Sequence, residues 1–250
     1  MTRPFRAAFL FIIAGFFANV AHAQGGPPLL TDDPGTAEYK HWEINLPVIP
    51  EVRSDSRQFE IPNFDFNYGA TDHTQLKFEI PVLVEWTDTS GTHAELGDGD
   101  FGVKWRFVDE KTRGFDLSMY PQFSFNSPGP KRLVDRGSEL LLPLQWMKTF
   151  GKWEVNADGG YIIRQHLMDE LTFGLPGGYQ VNDKLQLIGE LHTVPLRDFS
   201  ENESVFQLGG RKKFNDHYIL LFAAGSSLPG STDHEPKFLG YFGLQIIVGK

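Results

Sequence analysis

The stretch DGDFGVKWRF, residues 98–107, decides the fold. Phe101, Val103, Trp105 and Phe107 are large and apolar, and Gly102, Lys104 and Arg106 stand between them. Successive side chains of a strand point to opposite faces, so this segment has one apolar face and one charged face. Residues 75–86 repeat the pattern. Leu76, Phe78, Ile80, Val82, Val84 and Trp86 point one way, and Gln75, Lys77, Glu79 and Glu85 point the other. A soluble sheet would bury the apolar face and leave the charges in water. A membrane barrel would turn the apolar face to lipid and the charges to its lumen.

Residues 97–102 also fit the G-x-G-x-x-G dinucleotide pattern. That motif requires a strand before it and a helix N-terminus after it to hold a pyrophosphate. Here a loop precedes and a strand follows, and Asp98 and Asp100 would repel phosphate. The glycines and aspartates read as a turn into the strand.

The alternation extends outward in both directions. Trp42, Ile44, Leu46 and Val48 alternate with Glu43, Asn45 and Pro47. Phe64, Phe66 and Tyr68 alternate with Asp65 and Asn67, while Phe59 and Ile61 are out of phase, which predicts a bulge near Pro62. The same period returns at intervals as far as Ile246 and Val248. The mature chain holds about twelve such runs, each near the length a tilted strand needs to cross a bilayer, and no helical period.

Connections alternate in length. Those at Gly69, Asp109, Gly151, Asn182 and Asn215 are short. Those at Pro50, Thr87, Ser127, Leu196 and Pro229 are longer, with residues 87–97 reading as a polar loop, and the one at Arg164 is intermediate. Outer-membrane barrels combine short periplasmic turns with longer outer loops. Aromatics, among them Tyr68, Phe107, Trp153 and Tyr179, gather beside the short turns, as at a membrane interface.

Composition narrows the class further. Arg3 and Arg6, the apolar residues 7–20 and the small-x-small sequence Ala21-His22-Ala23 read as a secretory signal peptide over residues 1–23, leaving a barrel domain at 24–250. Removing the two leader arginines leaves 21 Lys+Arg against 32 Asp+Glu, a net charge of −11. That acidity excludes nucleic acid as a partner, because no basic stripe is present to neutralise phosphates. The chain has no cysteine, hence no disulfide framework. Residues 24–34, rich in Gly and Pro, read as an irregular lead-in.

Three segments, LTDDPGTAEYKHWE (30–43), GDGDFGVKWRF (97–107) and LPLQWMKTFGKWEVNADGGY (142–161), carry a family resemblance. They resemble blocks of a bacterial family named for the meta-pathway of phenol degradation, whose members are treated as outer-membrane barrel transporters. The resemblance runs through most of the mature chain. It implies an outer-membrane barrel and, through pathway context, transport. One departure is the ending Ile247-Val248-Gly249-Lys250, where such barrels usually end in an aromatic residue.

The chemistry-bearing residues point inward rather than to a catalytic centre. Glu43, Asp65, Lys77, Glu79, Glu85, Lys104, Arg106, Asp116, Glu154, Asp158 and Glu190 share the polar face, with His192 beside Glu190. Charges withdrawn from bulk water need partners. The expected pairs are Lys104 and Arg106 with Glu79, Asp116 or Glu190 on other strands. Glu79, Lys104, Arg106, Asp116, Glu154, Glu190 and His192 are thus the candidate channel-lining residues. The histidines form no H-E-x-x-H or other close metal pair, and no serine sits in a nucleophile elbow. The expectation is an antiparallel up-and-down transmembrane β-barrel without cofactor, metal or enzymatic activity. It would sit in outer-membrane lipid, be inserted by the barrel-assembly machinery and pass small molecules, aromatic ones among them. The rivals are a barrel enzyme acting on lipid and a non-conducting structural or adhesion barrel. Cell fractionation checks the placement: the mature chain, starting at Gln24, should be recovered in the outer membrane, and recovery in the soluble periplasm would contradict it.

Overall fold

The computed structural model describes residues 26–87, 91–128, 137–229 and 236–249; the expected signal peptide lies outside the described residues. The first strands are β1 (Trp42–Val52), β2 (Ser56–Thr71), β3 (Thr74–Thr87), β4 (Gly91–Leu96) and β5 (Gly99–Val108). After the one-turn helix α1 (Glu110–Arg113) come β6 (Asp116–Met119), β7 (Gln122–Phe125), β8 (Glu139–Phe150), β9 (Trp153–Arg164) and β10 (Glu170–Asn182). The chain ends with β11 (Leu185–Pro195), β12 (Asn202–Lys213), β13 (Tyr218–Ser227) and β14 (Phe238–Val248).

Every strand pairs antiparallel with its neighbours, and β1 pairs with both β2 and β14, which closes the sheet. β4 and β5 pair with successive parts of β3 and form one wall strand. β6 and β7 lie between β5 and β8 as a second interrupted strand, broken at Tyr120-Pro121. The segments therefore make a closed barrel of 12 wall strands. Closure removes sheet edges and satisfies the wall's backbone without water, the condition for strands in hydrocarbon.

The alternation sorts side chains as the sequence predicts. Trp105 is 55% exposed, Phe101 48% and Phe78 41%, whereas Lys104 is 2% exposed. An apolar surface of this extent has no place in water and fits the hydrocarbon of a bilayer. At the short-turn end the rings of Trp42 and Tyr68 lie 4.7 Å apart, those of Trp153 and Tyr179 4.6 Å, and those of Trp105 and Phe107 5.3 Å. Trp86 marks the opposite end, with the Arg57 guanidinium 5.7 Å from its ring.

The bulge near Pro62 is present as a register shift between Glu60 and Asn63. Residues 87–97 differ from expectation, because β4 occupies most of that span and continues the β3 hairpin. Its apolar period is carried by Ala94 and Leu96 alone, opposite Val84 and Val82, and its pairing comes from the length of β3. The Asp109 turn is α1, whose first turn is capped by the Asp109 carboxylate accepting from Lys111 N and whose end is closed by Gly114 at φ 81°.

The two faces should differ in tolerance. Phe78→Arg places a charge in hydrocarbon and should cost about 2–4 kcal/mol. Glu43→Gln, on the lumen side, should cost less. Urea unfolding in detergent or lipid measures both, and equal losses would contradict the assigned facing.

Candidate functional site

The lead-in does not lie outside the barrel. Residues 26–37 sit in the lumen, entering from the short-turn end, where Lys40 N donates to Gly69 O at 2.7 Å and Gly69 N donates to His41 O at 3.0 Å. A Cβ on Gly69 would stand 1.9 Å from the carbonyl oxygen of Glu38, so this crossing requires glycine. Further in, Ala37 N donates to Gln75 Oε1 at 2.8 Å. Gln75 donates to Asn67, and Asn67 to Asp65, each at 2.8 Å.

At mid-lumen the segment meets the charges of the wall. Lys104 Nζ donates to Asp32 Oδ1 and to the carbonyl of Asp33, both at 2.8 Å, and lies 4.6 Å from the centre of the Tyr120 ring. Asn156 Nδ2 donates to the carbonyl of Asp32 at 3.2 Å. The Asp33-Pro34-Gly35 sequence makes a side-chain-capped turn, with Asp33 Oδ1 accepting from Gly35 N at 2.7 Å. Burial raises the Asp33 carboxyl from 3.8 to about 6, against the opposing pull of Lys104.

The segment then crosses to the far wall. Glu190 accepts from Leu30 N at 2.6 Å and Thr31 N at 3.0 Å, and Thr31 Oγ1 bonds His192 Nδ1 at 3.0 Å. A Cβ on Gly174 would lie 2.0 Å from Thr31 Oγ1, so β10 is recessed where the segment rests. The chain turns back toward the short-turn end, where Arg211 donates to the carbonyls of Gly26 at 2.7 Å and Pro27 at 3.1 Å.

This course divides the space inside the barrel. A vestibule of about 890 Å³ opens among the short turns, between His73, Arg106, Lys184 and Ile247. A second cavity of about 210 Å³ lies nearer the long loops, between Pro28, Leu29 and the wall residues Ile49, Asn63 and Leu239. Between them, beside Lys104 and Tyr120, the remaining space is about 20 Å³, room for about one water. Residues 26–37 act geometrically as a plug.

The candidate lining residues all project to the inner face but do not pair as expected. Lys104 pairs with Asp32 of the segment, not with Glu79, Asp116 or Glu190. Register explains the difference: Lys104 lies across from Gln75, and Glu79 is four residues further along β3, about 13 Å away at strand rise. Glu79 pairs with Lys77 at 2.6 Å on its own strand and accepts from Asn63 at 2.7 Å. Arg106 turns to the rim, donating to the carbonyl of Asp72 at 3.1 Å, with Asp109 at 3.6 Å. Asp116 accepts from Glu110 N at 2.7 Å and braces α1. Glu154 accepts from Gln186 at 3.4 Å, while Glu190 and His192 receive the segment. The pattern puts Gln75 on the polar face, but Gln75, Arg211, Asn156 and Gly174 are not among the candidate lining residues. The parity of Arg211 was readable, but its partners are carbonyls of a segment that has no period.

Comparison with solved structures places the fold. An outer membrane channel from Pseudomonas putida F1 superposes with a TM-score of 0.73 at 15% identity, over 87% of this chain and 100% of that one. The NanC porin gives 0.56 at 6% identity, over 83% and 99%, and the KdgM porin 0.56 at 9%, over 81% and 98%. At these identities the likeness establishes the fold, that of an outer-membrane β-barrel. No family model and no curated protein matches the chain.

Gly174→Ala tests the seating of the segment. The added methyl overlaps Thr31, an overpacking worth about 1–3 kcal/mol. With Thr36→Cys as reporter, labelling by a membrane-impermeant maleimide should speed up roughly tenfold or more. Unchanged labelling would mean that the segment does not rest on β10.

Proposed function

We propose that the protein is a gated outer-membrane channel for small molecules, with residues 26–37 as the gate. The observation that carries the reading is the plug itself: a polar segment, bonded to the wall through side chains that would otherwise line a water-filled lumen. A barrel needed only as a scaffold could fill its lumen with wall side chains, as small barrels do. Around the plug, Glu43, Asp65, Glu79, Glu154, Asp158 and Glu190 outnumber Lys77, Lys104 and Arg211. An open lumen would therefore favour cations. Aromatic solutes, and membership of the phenol-degradation family, rest on the sequence segments 30–43, 97–107 and 142–161. Insertion by the barrel-assembly machinery follows from the fold class, and the reading assigns no catalysis.

Single-channel recording tests it. The intact protein should show mostly closed levels, and deletion of residues 26–37 should give a larger, cation-preferring conductance. If the deleted protein folds and stays silent, the barrel is non-conducting. If purified protein hydrolyses lipid and loses that activity on substitution of one Ser or His, the barrel is an enzyme.

The pH dependence follows from Asp33. Its docked value of about 6 is raised from 3.8, so the docked state favours the protonated form. That contribution to docking is fully present below about 4 and is lost as pH rises through about 6. Open probability should therefore increase from pH 5 to pH 7.5, and Asp33→Asn should flatten the increase. A profile unaffected by Asp33→Asn would contradict the assignment.

A further inference from the structure

The cavity of about 210 Å³ is charged on one side and apolar on the other. Asp65, Lys77 and Glu79 of the wall and Asp32 of the plug line the charged side. Two more carboxylates adjoin Glu79. Asn63 Nδ2 donates to Glu60 Oε2 and to Glu79 Oε1, both at 2.7 Å, and Asp100 lies across from Glu79 in the β3–β5 ladder. Five carboxylates thus stand around two amines, and both amines are taken: Lys77 pairs with Glu79, and Lys104 with Asp32. Among the described residues, Glu60, Asp65 and Asp100 accept hydrogen bonds from neutral groups only, the amides of Asn63, Asn45 and Asn67 and the hydroxyl of Ser124. Carboxylates withdrawn from water call for a cation. Two further polar atoms at the cavity are unanswered. Asn63 lines it and is 0% exposed. Its amide nitrogen is held by two carboxylates, which fixes the flip of the amide and leaves Oδ1 as the free edge. That oxygen and the buried hydroxyl of Tyr241, another lining residue, have no hydrogen-bond partner among the described residues.

We propose that this cavity binds a small organic ammonium ion, and that the bound ion holds the plug shut. The proposal rests on the gate reading above and adds a ligand class and a direction of control. An ammonium group has three donors and no acceptor, which matches Asn63 Oδ1, the Tyr241 hydroxyl and the carboxylates behind them. The Tyr241 ring adds an aromatic face of the kind that attracts cations. A neutral alcohol brings one donor and leaves the carboxylates without a counter-charge. Pro28, Leu29, Ile49 and Leu239 form the opposite, apolar side, which receives a carbon body. Apolar cavities near 150 Å³ accept benzene, so about 210 Å³ has room for one ring with a short aminated arm. The direction of control follows from what the walls are made of. Pro28, Leu29 and Asp32 belong to the plug, so the complete cavity exists only while the plug is seated. A ligand that needs both walls binds the seated state and draws the equilibrium toward it.

The probe is 2-phenylethylamine, and 2-phenylethanol is its neutral match in shape. Isothermal titration of the purified protein in detergent should show saturable binding of the amine, about tenfold or more tighter than that of the alcohol. With Thr36→Cys as reporter, the amine at ten times its dissociation constant should slow maleimide labelling roughly tenfold, because it lowers the unseated population by that factor. Glu60→Gln with Asp100→Asn removes two charges at nearly constant volume. It should weaken amine binding about tenfold or more and leave alcohol binding unchanged. Four results would each overturn the proposal: no saturable amine binding, an alcohol bound as tightly as the amine, labelling that the bound amine leaves unchanged or speeds up, or a folded Glu60→Gln, Asp100→Asn protein with wild-type affinity. The first three need no substitution in the cavity and stand even if that double variant does not fold. Failure of the channel reading would appear separately, as silence after deletion of residues 26–37.

Discussion

A charged amine withdrawn from water must be answered within the protein, and Lys104 is that amine. At 2% exposure it can stay charged only beside an anion and hydrogen-bond acceptors. The wall supplies an aromatic face; the anion and the carbonyl come from Asp32 and Asp33 of the N-terminal segment. The direct hydrogen-bond partners of Lys104 thus come from residues 26–37, and this pairing anchors the segment in the lumen. Two glycines, Gly69 and Gly174, are shaped to receive it.

The energies nearly cancel. Ordering 12 residues costs about 12–24 kcal/mol in backbone entropy. The nine wall-to-segment hydrogen bonds, six of them to charged side chains, return about 10–22 kcal/mol. Pro27, Pro28 and Pro34 lower the entropy term because their φ is already fixed. The plug is held by the difference between two large opposing terms.

Much of this architecture was readable in residue order. Strict alternation around Trp105 and Phe78 gave the barrel and its facing, because a side-chain period of two leaves no choice once one face is apolar. Alternating connection lengths give an expected orientation, with the short turns on the periplasmic side. The plug was not readable. Residues 26–37 are irregular, and their order comes from contacts 38 to 185 residues away in sequence. The partners of Lys104 and Arg106 were missed for a related reason. Parity shows that two residues share a face, but register along the tilted strands decides whether they meet, and parity says nothing of a third body between them. β4 was missed because its outward face, Thr92, Ala94 and Leu96, holds only one large apolar residue. The irregularity of β2 at Pro62 was legible, because Phe59 and Ile61 fall out of phase with Phe64 and Phe66.

The proposed gate closes the lumen by seating residues 26–37 against β10. Thr31 and Gly174 are adjacent enough to join: a Cβ at position 174 would lie 2.8 Å from Thr31 Cβ, so a disulfide requires a small outward shift. Thr31→Cys with Gly174→Cys, recorded as single channels under oxidising and then reducing conditions, measures gating by the segment directly. Closed levels are expected while the disulfide is intact, and openings once it is reduced. Openings of equal frequency with the disulfide verified as intact would contradict it.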